Sequence, residues 1–331
     1  MGFYYNERFA IKLFSMTFHP LLNCWYLTGP TASGKSAAGV ELALRIGAEI
    51  ISMDSMALYR HMDIGTAKPS EEQRRRVPHH LIDVIDPHEE FSLAQYIEAA
   101  HRCVQDIAGR GKKMLFVGGT PLYLKGLLRG IFQGPAADWT FRRQLQQEAQ
   151  SQDQLWLYRR LHEVDPAAAA KLHPNDTRRL IRALEIFHLT GRPISEFQKQ
   201  FDVGVHADRC RVFVLDWPRD ELRARIDRRV GEMFENGLID EVRALLADPQ
   251  PPGKTARQAV GYRETIEHLE GRRTLAETVE LVRLHTWQLA KRQNTWFRSL
   301  SECRFVPLSG QADPVEVARQ IAKPQAVSEE I

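Results

Sequence analysis

The chain has 331 residues, of which 43% are hydrophobic and 26% charged, and its formal net charge is +3. That balance belongs to a globular protein with a real core and excludes collagenous, low-complexity and disordered classes; the length suits two compact lobes better than one. Positive charge this mild permits a nucleic-acid partner only if the cations cluster, and the scattered Cys24, Cys103, Cys210 and Cys303 form no C-x-x-C pair, so a reducing cytoplasm is the expected setting.

Residues 1–22 read as an appended, poorly ordered extension in which Met16 is an alternative start. The charges of Glu7, Arg8 and Lys12 interrupt any leader-like apolar run, and no window of the chain approaches a membrane span. The first strand is expected at Cys24–Thr28, followed by a glycine-rich loop and a helix over 37–46. Glu49–Ser52 predicts a second buried strand, and Leu81–Ile85 a third. Ser92 with Gln95 forms a capping-box pattern that opens a helix running to Gly109, and Met114–Val117 predicts another strand, ended by Gly118-Gly119-Thr120. Continuously apolar strands alternating with helices predict a parallel sheet covered on both faces.

From Pro135 the strand signals give way to Gln, Arg, Ala and Leu at helical spacing, with Asp165-Pro166 as a helix start and Asn175 or Asp176 as a cap. Strand character returns at Arg211–Leu215. A helix is expected from Arg219 towards Leu246, a long one from Leu275 to Phe297, a short strand at Arg304–Pro307, and then a polar tail with at most a terminal helix. The organisation is therefore an extension (1–22), an α/β core in two pieces (23–134 and 205–310), an inserted all-helical lobe (135–204) and a tail (311–331).

Gly29-Pro30-Thr31-Ala32-Ser33-Gly34-Lys35-Ser36 fits G-x-x-x-x-G-K-[ST] between a predicted strand and a predicted helix. In that setting backbone N–H groups surround two phosphates, Lys35 neutralises them and the Ser36 hydroxyl is a Mg²⁺ ligand. The core is thus expected to be P-loop NTPase-like. Asp54, just past the second strand, lies near the same sheet edge, where its carboxylate reaches a reacting group or the metal; capping a helix is its competing reading. Arg225 and Arg229 border the stripe Leu222, Ile226, Val230 and Met233, either facing the loop or forming salt bridges on a surface helix. The histidines His79, His80 and His88 lack companion carboxylates or cysteines at ligand spacing and read as structural.

Several long motifs, in order, carry a more specific message: the octet 29–36, Ile51-Ser52-Met53-Asp54-Ser55, Tyr59, Met62–Pro69 (MDIGTAKP), Pro78–Leu81, Gly118–Tyr123, Arg178–Glu185 (RRLIRALE), Val260–Arg263 and Ala290–Trp296. Together the chain resembles the tRNA dimethylallyltransferase, or isopentenyltransferase, family over nearly everything except its two ends. The resemblance implies transfer of a dimethylallyl group from dimethylallyl diphosphate to the N6 amine of the adenine 3′ of the anticodon, in tRNAs reading codons that begin with U, with Mg²⁺ assisting. It assigns Asp54 as general base and Thr31, Lys35, Arg225 and Arg229 to the diphosphate and the transferred group. Contacts to the tRNA anticodon stem-loop are implied for Asp54, Ser55, Met56, Ala57, Thr120, Arg142, Arg178, Arg179, Leu180, Ile181, Arg182, Gly261, Tyr262, Arg263, Trp287, Lys291, Arg292, Gln293 and Arg298.

One position departs from the family pattern: Ala57 stands where a glutamine is common, so no side-chain amide reaches the base from there. On the last long helix, Trp287, Lys291, Asn294 and Arg298 are expected to form one basic, aromatic face opposite Val282, Leu289 and Trp296, the alternative being an ordinary solvated face. A monomer is expected. The rival readings are a small-molecule or nucleotide kinase using the same loop with ATP, and a non-enzymatic RNA-binding P-loop switch.

Overall fold

The structure, a computed structural model, describes residues 18–132, 134–198 and 204–323. The expected extension and Met16 therefore lie outside the described residues up to position 17, as do the last eight residues of the tail. Contacts divide the chain into two compact units: residues 21–128 with 204–331, and residues 1–20 with 129–203.

In chain order the elements are β1 (Trp25–Thr28), α1 (Lys35–Ile46), β2 (Ala48–Ser52), α2 (Glu71–Arg76), β3 (His79–His80), α3 (Leu93–Gly109), β4 (Lys113–Val117) and α4 (Pro121–Arg129). There follow α5 (Trp139–Gln150), α6 (Trp156–Val164), α7 (Pro166–Ala169), α8 (Thr177–Thr190), α9 (Ile194–Phe197), β5 (Arg211–Asp216), α10 (Arg219–Glu235) and α11 (Leu238–Ala247). The chain closes with α12 (Lys254–Arg257), α13 (Tyr262–Leu269), α14 (Leu275–Arg298), β6 (Cys303–Pro307) and α15 (Pro314–Ala322).

The larger unit is built on a six-stranded sheet in the order β3-β2-β4-β1-β5-β6, parallel throughout. Apolar strands such as Tyr26-Leu27, Ile50-Ile51 and Val212–Leu215 are buried on both faces, as a helix-covered parallel sheet requires. Register matters most at the carboxyl edge. Leu27 and Ser52 both lie beside Val117, and Thr28 lies beside Val214, so the loops leaving β1, β2, β4 and β5 emerge side by side. Ligands of open parallel sheets bind along that edge.

Two expectations fail here. Residues 81–85 form no strand; only His79-His80 pairs with β2. Leu81 and Asp83 take left-handed backbone angles (φ 58 and 57), and the Asp83 carboxylate is held by Lys68 and Arg74, so long-range ion pairs override local strand preference. The helix from Arg219 is interrupted at Asn236-Gly237, where Gly237 at φ 95 lets the chain turn into α11. The tail supplies a structural element: Val317, Ala318 and Ile321 of α15 are buried in the same apolar cluster as Val40 and Leu42 of α1.

The smaller unit is helical. α5, α6 and α8 surround Leu145, Leu157, Leu161, Leu180, Ile181 and Leu184, with Asp165 and Asp176 capping α7 and α8. Its most buried charge is Glu185, fully inaccessible, which accepts hydrogen bonds from Arg142, Arg182 and the Asp138 N–H.

Candidate functional site

The loops leaving β1, β2 and β4, together with α10 and α14, line an open cavity of about 1060 Å³, its walls including Thr31, Lys35, Ser36, Asp54, Thr120, Arg225, Arg229, Leu289 and Gln293. This is at the upper end of the roughly 300–1,000 Å³ usual for small-ligand sites.

The glycine-rich loop between β1 and α1 is shaped by side chains from far along the chain. Gly29 and Gly34 adopt φ 151 and 87, and a Cβ on Gly29 would sit 2.9 Å from Ser33 Oγ and 3.0 Å from the Leu215 carbonyl. Ala32 also holds a left-handed angle, φ 63, a strain of roughly 1–2 kcal/mol. Its carbonyl accepts from Arg225 Nε at 2.9 Å, and the Ser33 carbonyl from Trp217 Nε1 at 2.9 Å, while the Arg225 guanidinium stacks 4.1 Å over the Trp217 ring. With these carbonyls tied down behind it, the loop presents Thr31, Ala32, Gly34, Lys35 and Ser36 to the cavity.

Cations gather there. Arg229 Nη1 donates to Thr31 Oγ1 at 3.1 Å. Burial, reinforced by the neighbouring Arg229, pushes the Lys35 amine down to about 8 despite the opposing charge of Asp54. Arg229 and Arg225 are likewise lowered from the usual guanidinium range, chiefly by burial. Cations crowded and desolvated in this way favour an incoming anion.

Asp54 lies across the cavity, after β2. Its Oδ1 accepts from the Met56 N–H at 2.9 Å in a turn, with no helix following, so the carboxylate does not cap a helix. The segment is pinned by Thr120, whose N–H donates to the Met53 carbonyl at 3.2 Å and whose Oγ1 accepts from the Ser55 N–H at 3.0 Å. Gly118 allows this approach, since a Cβ there would lie 2.0 Å from the Met53 oxygen. Ser55 and Met56 line the cavity, whereas Ala57 is buried behind the turn.

A further wall is the MDIGTAKP loop. Glu241 of α11 accepts from the Asp63, Ile64 and Gly65 N–H groups at 2.9, 2.8 and 3.3 Å and from the Tyr262 hydroxyl at 2.6 Å. Lys68, whose side chain is 2% exposed, joins the Tyr59 carbonyl, Asp63 and Asp83. Sequence reasoning missed Glu241: an acidic residue on an amphipathic helix gives no signal of its own.

Several residues expected to meet RNA are placed otherwise. Leu180 and Ile181 are core residues of the helical unit, and Arg142 and Arg182 are engaged with Glu185; Arg178 and Arg179 remain exposed, the latter beside Asp176. Tyr262 is buried on Glu241, with Gly261 (φ 94) before it. Arg263 is pinned to Glu264, a fully buried carboxylate that burial would raise but that the Gly261 N–H, Arg263 and His285 hold below its ordinary range. Trp287 is buried among Ile226, Val230, Val282 and Ala290, so the expected aromatic face of α14 does not exist; Trp296 is the exposed one. The buried stripe of α14 runs Thr278, Val282, Ala290, Gln293 and Phe297, rotated from the expected one. Lys291 and Arg292 are exposed, and Arg298 pairs with Asp216 at 3.0 Å. His79 and His80 bond the Val77 carbonyl and Glu49.

Comparisons with known proteins agree with one another. A family described as "IPP transferase" matches residues 57–300 and one described as "Isopentenyl transferase" matches residues 22–86. A tRNA dimethylallyltransferase of Rhodopirellula baltica is 50% identical over 88% of this chain and 90% of its own, and one of Geobacter metallireducens 48% identical over 87% and 93%. Among solved structures, the full-length tRNA isopentenylpyrophosphate transferase of Bacillus halodurans superposes with a TM-score of 0.65 at 38% identity, covering 91% of this chain and 96% of that one. A eukaryotic dimethylallyltransferase acting on tRNA gives 0.71 at 28% identity, covering 86% and 73%.

Proposed function

The chain belongs to the tRNA dimethylallyltransferase family, and we propose that it transfers the dimethylallyl group of dimethylallyl diphosphate to the N6 amine of the adenine 3′ of the anticodon in tRNAs reading U-starting codons. The observation that carries this reading is the convergence of Asp54 with Thr31, Lys35, Ser36 and Arg229 on one cavity. Adenine's amine is a poor nucleophile because its lone pair is delocalised into the ring. As N6 bonds to the allylic carbon, Asp54 takes the N6 proton, and the carbon–oxygen bond breaks with its electron pair leaving on the diphosphate. Lys35, Arg225 and Arg229 meet the charge that develops there.

The residues present also suit Mg²⁺. The Ser36 hydroxyl offers a hard oxygen donor on the cavity, and Mg²⁺ characteristically completes its shell with phosphate oxygens and waters, leaving Asp54 to the N6 proton. When bound it would neutralise charge on the leaving diphosphate.

The RNA partner in this reading is the anticodon stem-loop, whose target base is unstacked to enter the cavity opposite the diphosphate. Exposed Arg178 and Arg179 on the helical unit and exposed Lys291 and Arg292 on α14 are the cations best supported for its phosphates. A monomer working in the cytoplasm completes the proposal; no helix among the described residues is long and apolar enough to cross a membrane. The test is nucleoside mass analysis of unmodified tRNA after incubation with dimethylallyl diphosphate and Mg²⁺. The prenylated adenosine is expected; unchanged nucleosides, or transfer of phosphate from labelled ATP to a small acceptor, would overturn the proposal.

A further inference from the structure

Gln293 was assigned to RNA by its place in the Ala290–Trp296 motif, yet its side chain lies inside the protein, 8% exposed. Its Oε1 accepts from the Thr31 N–H at 2.8 Å, and its Nε2 donates to the Gly119 carbonyl at 2.6 Å. The partners dictate the orientation of the amide, because a backbone N–H demands the oxygen and a backbone carbonyl the nitrogen. One side chain from α14 thus ties the loop after β1 to the loop after β4. The packing leaves room for nothing else: a Cβ on Gly119 would fall 2.9 Å from Gln293 Nε2 and 3.3 Å from Lys35 Cε.

Each end of this amide leads to one half of the reaction proposed above, on which the inference rests. Through Thr31 it reaches Arg229, which donates to the Thr31 hydroxyl. Through Gly119 it reaches Thr120, which brackets Asp54 by bonding Met53 and Ser55 on either side. We infer that Gln293 is a positioning residue that fixes the separation between the carboxylate taking the proton and the loop holding the leaving diphosphate. Both ends of its amide are spent on backbone, so it acts through the two loops it joins. Two backbone-directed bonds hold geometry that a flexible loop pair would otherwise sample, and a displacement of about 1 Å between reacting groups can cost as much as 10²-fold in rate.

Gln293→Met keeps length and volume while removing both hydrogen bonds, and Gln293→Ala removes the packing as well. For Gln293→Met we expect kcat to fall about 10–100-fold. Affinity for inorganic diphosphate with Mg²⁺, measured by calorimetry, should fall about tenfold, the equivalent of roughly one net hydrogen bond. Affinity for an anticodon stem-loop RNA should not change. A Gln293→Met protein with wild-type kcat and diphosphate affinity would reduce Gln293 to packing, and one that lost RNA affinity alone would return it to the RNA surface; either result overturns the inference. Should the first two variants fail to fold, Gln293→Glu preserves shape and the bond from Thr31 and is still expected to lose at least about tenfold in kcat. If the unaltered chain transfers no dimethylallyl group, the proposed function fails, while the diphosphate arm still tests the clamp.

Discussion

The glycine-rich loop and the helical unit both gather arginines, and they use them in opposite ways. At the loop, Arg225 and Arg229 bond uncharged oxygens, the Ala32 carbonyl and the Thr31 hydroxyl, so their charge remains available to the cavity. In the helical unit, Arg142 and Arg182 are consumed by Glu185, a carboxylate with no solvent access. An arginine in a motif is therefore evidence of ligand binding only once its internal counter-charge is known.

The strongest way to break this contrast is at Asp54, the anion that shares the cavity with those uncommitted cations. Asp54→Asn should bind both substrates, because the amide is nearly isosteric, and lose roughly 10²–10⁴-fold in kcat as the general base disappears. Recovery at high Mg²⁺ in steady-state assays would instead make Asp54 a metal ligand.

On the other side of the contrast, Glu185→Ala leaves Arg142 and Arg182 without their buried partner and should destabilise the helical unit by roughly 3–5 kcal/mol in denaturant unfolding. The acid side follows the same logic. Burial raises the Glu185 carboxyl, but its bonds to Arg142, Arg182 and the Asp138 N–H outweigh this and leave it below the ordinary value of 4.5. A folded value below the unfolded one means the stabilisation is complete above the unfolded value and disappears as pH falls through the folded one. The helical unit of the unaltered protein should lose stability in that acid window, and the Glu185→Ala variant should not show that component.

Trp287→Ala sharpens the reassignment of α14. Its expected cost is a core penalty of roughly 3–5 kcal/mol, seen in the melting of the protein rather than in the salt dependence of RNA binding. The smallest effect belongs to exposed cations. Lys291→Ala should reduce the log–log salt slope of tRNA binding by about one unit if it meets a phosphate. Arg298→Ala should change the slope less, because Asp216 already holds that side chain.

The fold was legible wherever local chemistry is self-sufficient. Ser92 with Gln95, Asp165 before Pro166, and the strand–loop–helix around Gly29–Ser36 all form as their side chains require. Leu81–Ile85 misled because Lys68 and Arg74 impose its backbone from elsewhere. The break at Asn236-Gly237 was readable as a turn pair, but the periodic Leu and Val residues on either side masked it. At the site, the loop octet could be found from sequence because phosphate chemistry constrains its spacing, whereas Asp54 stood out by its place after the second strand and by the family resemblance. Trp217, Glu241 and the inward turn of Gln293 could not, since each acts on backbone atoms of a distant segment and leaves no pattern in its own neighbourhood.

Glu241 has one more consequence. The cavity has two stretches of backbone whose amides suit an anion, the glycine-rich loop and residues 63–65, and the protein answers the second with its own carboxylate. Those three amides are thereby closed to any other anion, while the uncommitted cations stay at the glycine-rich loop. Glu241→Ala should free those amides, and its expected signature is inhibition by inorganic phosphate competing at a second, newly opened position.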